Sequence, residues 1–323
     1  MLIVTNYKEM PLRWRAANGV VGRTIVARSL EDFKEEGEAK DAVFLVNCDP
    51  DLTMKLALAR LTLPGYRRPL IASDLVLRRP GSGLKAKLIF AAKRFLLSRA
   101  DLYLNLFKDT TGLTEAYGIP AARCAYIPFK VNLDPGAVAT VEKREDYVLC
   151  FGRSLRDFDT FFAAMERLPY PGAIAAVKPS DLIGHGARFS RSLDQLPPNV
   201  AQLPDDGSAQ AQLRMLAGAK LVVIPVLKTS IVASGISTAL NAMAVGKCVI
   251  GSEGPGMSDI FTEEALIVPP EDPEALTAMI DSAWRDDLLR VRTARAGRRL
   301  AVSLGGEAEL IQRIIDKVAQ AYG

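Results

Sequence analysis

Short apolar runs of strand length alternate with segments of helical spacing along almost the whole chain, and this rhythm leaves few architectures open. The runs Leu2 to Val4, Thr24 to Ser29, Ala42 to Asn47, Pro69 to Asp74 and Ala100 to Leu106 read as buried strands, being brief and mostly apolar. Leu52 to Leu61 and Leu84 to Ser98 read as helices, the second with Leu84, Leu88, Ala91 and Phe95 on one side. Glu31 to Asp41 is a short exposed helix or a loop, and the Arg-containing stretch from Asn6 to Arg23 has no assignable period. A second series follows. Tyr147 to Gly152, Gly172 to Val177, Lys220 to Leu227 and Cys248 to Ile250 are its strands, with helices over Phe158 to Leu168 and Ala209 to Ala217 and after the loop at Ser234-Gly235. Strands and helices alternating at these lengths predict parallel βαβ units with right-handed crossovers, whose ligands lie off the carboxyl ends of the strands. Asn47, Asp49 and Asp74 fall at such ends.

The stretch from Val226 to Gly254 is the most informative. It leaves an apolar strand, passes a small-residue loop and enters a helix carrying Ile236, Leu240 and Met243, with Gly246 as C-terminal cap. The first turn of such a helix offers unpaired N–H groups and the positive end of its dipole, and the loop has no bulky side chain to exclude a phosphate. A tightly packed corner without a ligand fits these residues equally well.

Asn241 to Ile250, followed by Val268 to Leu276, resembles the C-terminal domain of nucleotide-sugar-dependent glycosyltransferases of the GT-B fold, in particular the large, mostly retaining group. The run Lys108 to Pro120, closing on Tyr117-Gly118-Ile119-Pro120 before Cys124 to Phe129, is similar to the end of the N-terminal domain in the same family. The resemblance implies two Rossmann-like domains facing a central cleft, with a final helix, Glu307 to Tyr322, that can cross back to the first. We place an acceptor-side domain at 1–138 and a nucleotide-sugar-binding domain at 139–323, because Asn132 to Asp146 has the composition of a linker. The chain departs from the group at its paired glutamates, one beside the donor sugar and phosphates and one on the ribose. Ala233 and Asn241 stand there instead.

The resemblance also implies which residues hold the donor. Gly152-Arg153 is similar to the family's glycine-arginine pair, and Arg156 is the candidate second cation on the diphosphate. Lys178 ends the next strand, and a strand-terminal lysine is more often just exposed. Ser234, Gly235, Ile236, Ser237 and Thr238 would offer backbone N–H groups and hydroxyls to phosphate or sugar, and Asn241 a neutral hydrogen bond to a ribose hydroxyl. Such a bond contributes about 0.5–1.5 kcal/mol net, against about 1.5–3 kcal/mol with a charged partner. The co-substrate implied is a UDP- or GDP-sugar, with no other cofactor and no metal. The sequence contains no His/Cys cluster. On the acceptor side an inverting enzyme needs a general base, for which Asp74 or Asp49 qualifies by position, although aspartate is also common as a turn residue. His185, the lone histidine, sits in a glycine-flanked loop and reads as a surface residue.

Composition narrows the partners. Hydrophobic residues make up 49% and charged residues 24%, as in a folded globular protein, and no apolar run is long enough to span a bilayer. The first residues lack the charged start of a signal peptide, which predicts a cytoplasmic protein. Cys48, Cys124, Cys150 and Cys248 are far apart and read as reduced core residues. Residues 1–135 hold 21 basic against 14 acidic side chains, whereas 136–323 hold 20 against 23. The excess concentrates in 66–108, where ten cations face only Asp74 and Asp101. That segment fits an anionic partner such as a membrane surface, a lipid-linked phosphate or an acidic glycan, or simply a solvated basic face. Nucleic acid is disfavoured, since zinc spacing, RNA-binding aromatics and a recognition helix are all missing from the sequence. On the helix at 84–98 the cations spread around the axis, which predicts core packing of its apolar side with snorkelling lysines. Two functions remain open: a glycosyltransferase acting on a glycan, glycolipid or lipid-linked acceptor, peripheral to the inner membrane face if the basic segment binds lipid, and a non-catalytic GT-B homologue acting as a binding or scaffolding subunit. A sugar-nucleotide epimerase is remote for want of an acid/base set.

Overall fold

Every residue of β1 (Leu2–Thr5) is buried, as in a strand with neighbours on both sides and both faces covered. The computed structural model describes residues 1–81, 83–144, 146–176 and 178–323 and builds a seven-stranded sheet around this strand. Its elements continue as β2 (Arg13–Arg15), β3 (Val21–Val26), α1 (Leu30–Glu36), β4 (Ala42–Asn47), α2 (Pro50–Thr62), β5 (Leu70–Ser73), α3 (Leu84–Leu97), β6 (Leu102–Asn105), α4 (Thr111–Tyr117) and β7 (Cys124–Tyr126). The order is β2-β3-β1-β4-β5-β6-β7, parallel throughout except where β2 pairs with β3.

The stretch without a period thus contains an antiparallel hairpin. Its register is fixed at Gly22, where an added Cβ would come within 2.2 Å of the Trp14 ring. A capping box between Ser29 and Asp32 starts α1, and Asp49 caps α2 by accepting from Leu52 N–H at 2.8 Å. One packing expectation is overturned: in α3 only Leu97 is buried, and the stripe of Leu84, Leu88 and Phe95 faces solvent. Helical spacing identifies an apolar stripe but not the direction in which it points. α3 packs on α2 with the opposite side.

The second sheet is built from β8 (Tyr147–Cys150), β9 (Gly172–Ala175), β10 (Val200–Leu203), β11 (Ala219–Ile224), β12 (Cys248–Ser252) and β13 (Leu266–Val268), in the all-parallel order β10-β9-β8-β11-β12-β13. Val177, the expected end of the second strand of this series, lies outside the described residues, as does Glu145 of the charged run before β8. The helices are α5 (Pro135–Thr140), α6 (Phe158–Met165), α7 (Pro179–Gly184), α8 (Ala209–Gly218), α9 (Ile236–Val245), α10 (Pro273–Arg285), α11 (Asp287–Leu304) and α12 (Glu307–Tyr322). Phe158, Phe161, Phe162 and Phe189 pack one side of the core through tilted and edge-on ring contacts. α9 ends as its sequence predicts, at Gly246 in the left-handed region (φ +82°). Asp272 caps α10 with Pro273 in the first turn.

The chain divides into Met1–Pro128 with Ala308–Gly323, and Phe129–Glu307. The division therefore falls before the linker-like segment, not near 138, because residues of that segment are already bound to the second unit: Val131 N–H donates to Gly305 O at 2.9 Å and Asn132 N–H to Asn241 Oδ1 at 2.9 Å. The last helix returns to the first unit. Asp316 Oδ1 accepts from Ala17 N–H at 2.8 Å, Gln312 Nε2 donates to Arg15 O at 3.0 Å, and Ile314, Ile315 and Val318 are buried. All four cysteines are free, and Cys48, unlike the buried Cys150 and Cys248, is exposed.

Candidate functional site

In the second sheet the chain runs outward from β8 to β9 and β10, then returns to the other side of β8 as β11. The two helix connections leaving β8 and β11 therefore diverge, and a crevice opens at the carboxyl ends of these neighbouring strands. The loops that leave those ends are Phe151 to Asp157 and Pro225 to Gly235. They are stitched together: Asp157 N–H donates to Pro225 O at 2.8 Å and Leu227 N–H to Leu155 O at 2.9 Å.

Arg156 lies at the centre, only 2% exposed. Its Nε donates to Phe151 O at 2.8 Å, and its Nη1 donates to Ser234 O at 3.2 Å and Ser154 O at 3.4 Å. Two glycines make room for the guanidinium. A Cβ on Gly152 would stand 2.4 Å from Nη2, and one on Gly235 would stand 3.1 Å from Nη1. Both also adopt positive φ, +104° and +120°, which favours glycine. Burial pushes the guanidinium down to about 10, so it stays charged at neutral pH. No carboxylate pairs with it among the described residues. Carbonyl oxygens alone balance the cation, which makes the corner receptive to an anion.

Gly235 opens α9, and no side chain caps this helix start. Ser234, Ile236 and Thr238 are buried, while Ser237 is partly exposed and its Oγ accepts from Asn132 Nδ2 at 2.5 Å. Asn241 is 1% exposed. Its Oδ1 accepts from the backbone N–H of Asn132, and its Nδ2 has no hydrogen-bond partner among the described residues. Ala233 is partly exposed and Gly256 passes close beside it, since a Cβ on Gly256 would fall 2.4 Å from that of Ala233.

Two cavities flank this corner within the second unit. One, of about 220 Å³, is lined by Gly152, Arg153, Ala175, Asp205, Ser208 and Gln212. Arg153 is half exposed there, with Nη2 at 3.8 Å from Asp205 Oδ2. The other, of about 430 Å³, includes Lys228, Ser230, Ser252, Glu253 and Met257, at the ends of β11, β12 and β13. The expected residues thus separate into groups. Gly152, Arg156, Ser234 and Gly235 converge on one guanidinium, and Arg153 lines the adjoining cavity. Lys178 is exposed ahead of α7 and lines neither cavity. The Arg156 side chain ties the two loops together, donating to Phe151 O in one and Ser234 O in the other. Asn132, Asp157 and Asp205 carry no signal in the sequence that marks them as part of the site. Asp157 accepts from Thr160 Oγ1 at 2.6 Å and Arg188 Nε at 2.9 Å and anchors the loop that carries Arg156.

In the first unit, Asp74 follows β5 and Cys48 follows β4. Both adopt left-handed backbone (φ +49° and +54°), a costly conformation for such residues. Cys48 Sγ donates to Asp74 Oδ2 at 3.4 Å, and burial pushes the Asp74 carboxyl up to about 6. Asp49, the alternative acid, is occupied as the cap of α2. His185 is exposed, and no grouping of acidic, histidine and cysteine side chains suited to a metal occurs among the described residues.

Two parallel α/β units, with a last helix returning to the first, define the GT-B class of fold. Residues 207–300 match the family model described as glycosyl transferases group 1. Among solved structures, the chain is similar to sucrose-phosphate synthase from Thermosynechococcus elongatus (17% identity, 100% of this chain and 88% of that one, TM-score 0.69). It is also similar to HepE of Anabaena in complex with UDP and glucose (14% identity, 93% and 86%, TM-score 0.66). A third is the UDP-forming α,α-trehalose-phosphate synthase of Burkholderia vietnamiensis (13% identity, 99% and 89%, TM-score 0.61). No curated protein sequence matches the chain.

Proposed function

We propose that this protein is a glycosyltransferase that binds a nucleotide-sugar, of the UDP or GDP class, in its second unit and transfers the sugar to a glycan, glycolipid or lipid-linked acceptor. The observation that carries this reading is Arg156, a buried guanidinium without a carboxylate, held beneath the uncapped start of α9. A diphosphate at that corner meets the first N–H groups of α9 and the field of a fixed cation, both in place before charge develops on the leaving group. Arg153 adds a half-exposed cation, and the cavity with Asp205, Ser208 and Gln212 offers donors and acceptors for the nucleoside. This set compensates the leaving charge without a divalent ion, so turnover is expected to survive chelation. Asp74 is the proposed base in an inverting reaction. The complex of Anabaena HepE with UDP agrees with this donor class.

A second reading is favoured by one local observation: Ala233 and Asn241 carry no carboxylate, and Asn241 Oδ1 already accepts from the Asn132 N–H. On that reading the fold binds a nucleotide and does no chemistry. Thermal-shift measurements with UDP-, GDP- and ADP-sugars, followed by release of nucleoside diphosphate with and without EDTA, separate the two. Stabilisation with turnover supports the transferase, stabilisation without turnover on any acceptor supports the binding protein, and silence across the donors sinks both.

A further inference from the structure

An amphipathic helix of a globular domain normally turns its apolar stripe inward. In α3 the stripe points away from the protein: Leu84 is 76%, Leu88 65% and Phe95 50% exposed, with the exposed Ala91 between them, while Leu97 on the opposite side is buried. At about 100° per residue, Lys85 falls on one flank of the stripe and Lys87 and Arg94 on the other. The Arg99 guanidinium lies 4.5 Å from the Phe95 ring centre. The helix contains no carboxylate. On its protein-facing side, Arg78, Arg79 and Lys93 help line a cavity of about 580 Å³ floored by Phe90 and Tyr117, and α2 beside it leaves Leu58 and Leu61 about half exposed.

We propose that α3 is an in-plane anchor that seats the first unit on an anionic phospholipid surface. The occupant follows from the layering of the helix. Its apolar ridge is one helix wide and convex, so it enters an acyl layer, and cations on both flanks meet the phosphate layer above, their methylene stems reaching along the ridge. Negative headgroups supply the charge that α3 lacks. A folded protein partner would need a matching groove with acidic walls on both sides. Self-association would bring like-charged flanks together. This inference does not depend on catalysis, so it stands or falls separately from the donor-site reading.

The test uses the full chain in flotation with vesicles of phosphatidylcholine alone and of phosphatidylcholine with phosphatidylglycerol. Binding is expected to be at least about tenfold stronger to the anionic vesicles, given about 1 kcal/mol for each cation near the surface, and to weaken as salt is raised. The Leu88→Asp/Phe95→Asp variant is expected to lose flotation while keeping the far-UV circular dichroism and melting temperature of the parent, because both side chains are exposed. A Phe95→Trp variant should show a vesicle-dependent blue shift. Equal or absent binding to both vesicle types at low salt overturns the proposal, as does flotation of the double variant at the parent's level. A dimer by light scattering that the double variant dissolves assigns the ridge to self-association and also overturns it. Capture of an acidic protein with no vesicle binding does the same.

Discussion

Arg156 and Asp74 show how burial sets the chemistry of single residues. Arg156 is held by three carbonyl oxygens and retains its charge at neutral pH. Arg156→Met removes the fixed cation beneath the start of α9 and is expected to weaken nucleotide-sugar binding by roughly tenfold, about 1.4 kcal/mol. Arg156→Lys should recover part of the loss, without the fork that spans both loops. Titration calorimetry with UDP-glucose checks both, and the melting temperature without ligand reports separately on the bracing role.

Asp74 makes a pH-dependent prediction. Its carboxyl ordinarily titrates at 3.8 and is raised by burial to about 6. Below about pH 4 it is protonated in both folded and unfolded chains and adds no pH dependence. Between about 4 and 6 the folded protein keeps a proton that the unfolded chain has lost, so this group's contribution to stability falls as pH rises. Above 6 the penalty is constant, on the order of 3 kcal/mol. Asp74→Asn should therefore be more stable than the parent at pH 7.5 and equal to it near pH 4, as read by urea unfolding. If Asp74 is the base, its replacement lowers kcat, and the parent's kcat/KM rises with pH through about 6. A variant that is stabilised but keeps full activity would leave Asp74 a strained turn residue and nothing more.

At the scale of elements, the site consists of two loops whose shape is held from outside. Asp157, fully buried, caps α6 through Thr160 N–H at 3.1 Å and takes the guanidinium of Arg188. Asp157→Ala takes from Arg188 one of its two carboxylates, Glu271 Oε2 remaining at 3.8 Å, and removes the cap of α6, for an expected loss of about 2–3 kcal/mol by urea unfolding. Asp157→Asn keeps the capping oxygen and should cost less. Donor affinity is expected to drop further than the stability loss explains, since the loop before Asp157 carries Arg153 and Arg156. Periodicity and capping residues identified α9 and its Gly246 cap, because these depend on residues close in sequence. Periodicity placed the apolar stripe of α3 correctly and its direction wrongly, because direction depends on what α2 presents.

At the scale of the whole molecule, the chain leaves its first unit at Pro128 and re-enters it at Ala308, so that unit is completed last. Ile315, 1% exposed, belongs to that closing helix, and Ile315→Ala is expected to cost about 2–5 kcal/mol. The chain's two tryptophans lie one in each unit, Trp14 and Trp284, so variants lacking one or the other resolve the units by fluorescence. The loss should appear in the midpoint reported by Trp14 and leave that reported by Trp284 in place. Equal shifts in both would show that the units unfold as one. Among the described residues no helix is long and apolar enough to cross a membrane.

The sequence by itself determined the α/β rhythm, the two series of strands, the loop-to-helix corner at Ser234-Gly235 and the segment that resembles a glycosyltransferase donor domain. Strand length, helical period and capping are local properties of a chain, and they are written in consecutive residues. Only the tertiary structure decided what surrounds each polar group. It placed Arg156 under two glycines from separate loops, tied Asn241 to Asn132 across more than a hundred residues and brought Gly256 close beside Ala233. It also turned the ridge of α3 outward. These are outcomes of packing between distant segments, where the burial of one side chain is set by the volume and hydrogen-bonding needs of others, and no local pattern encodes them.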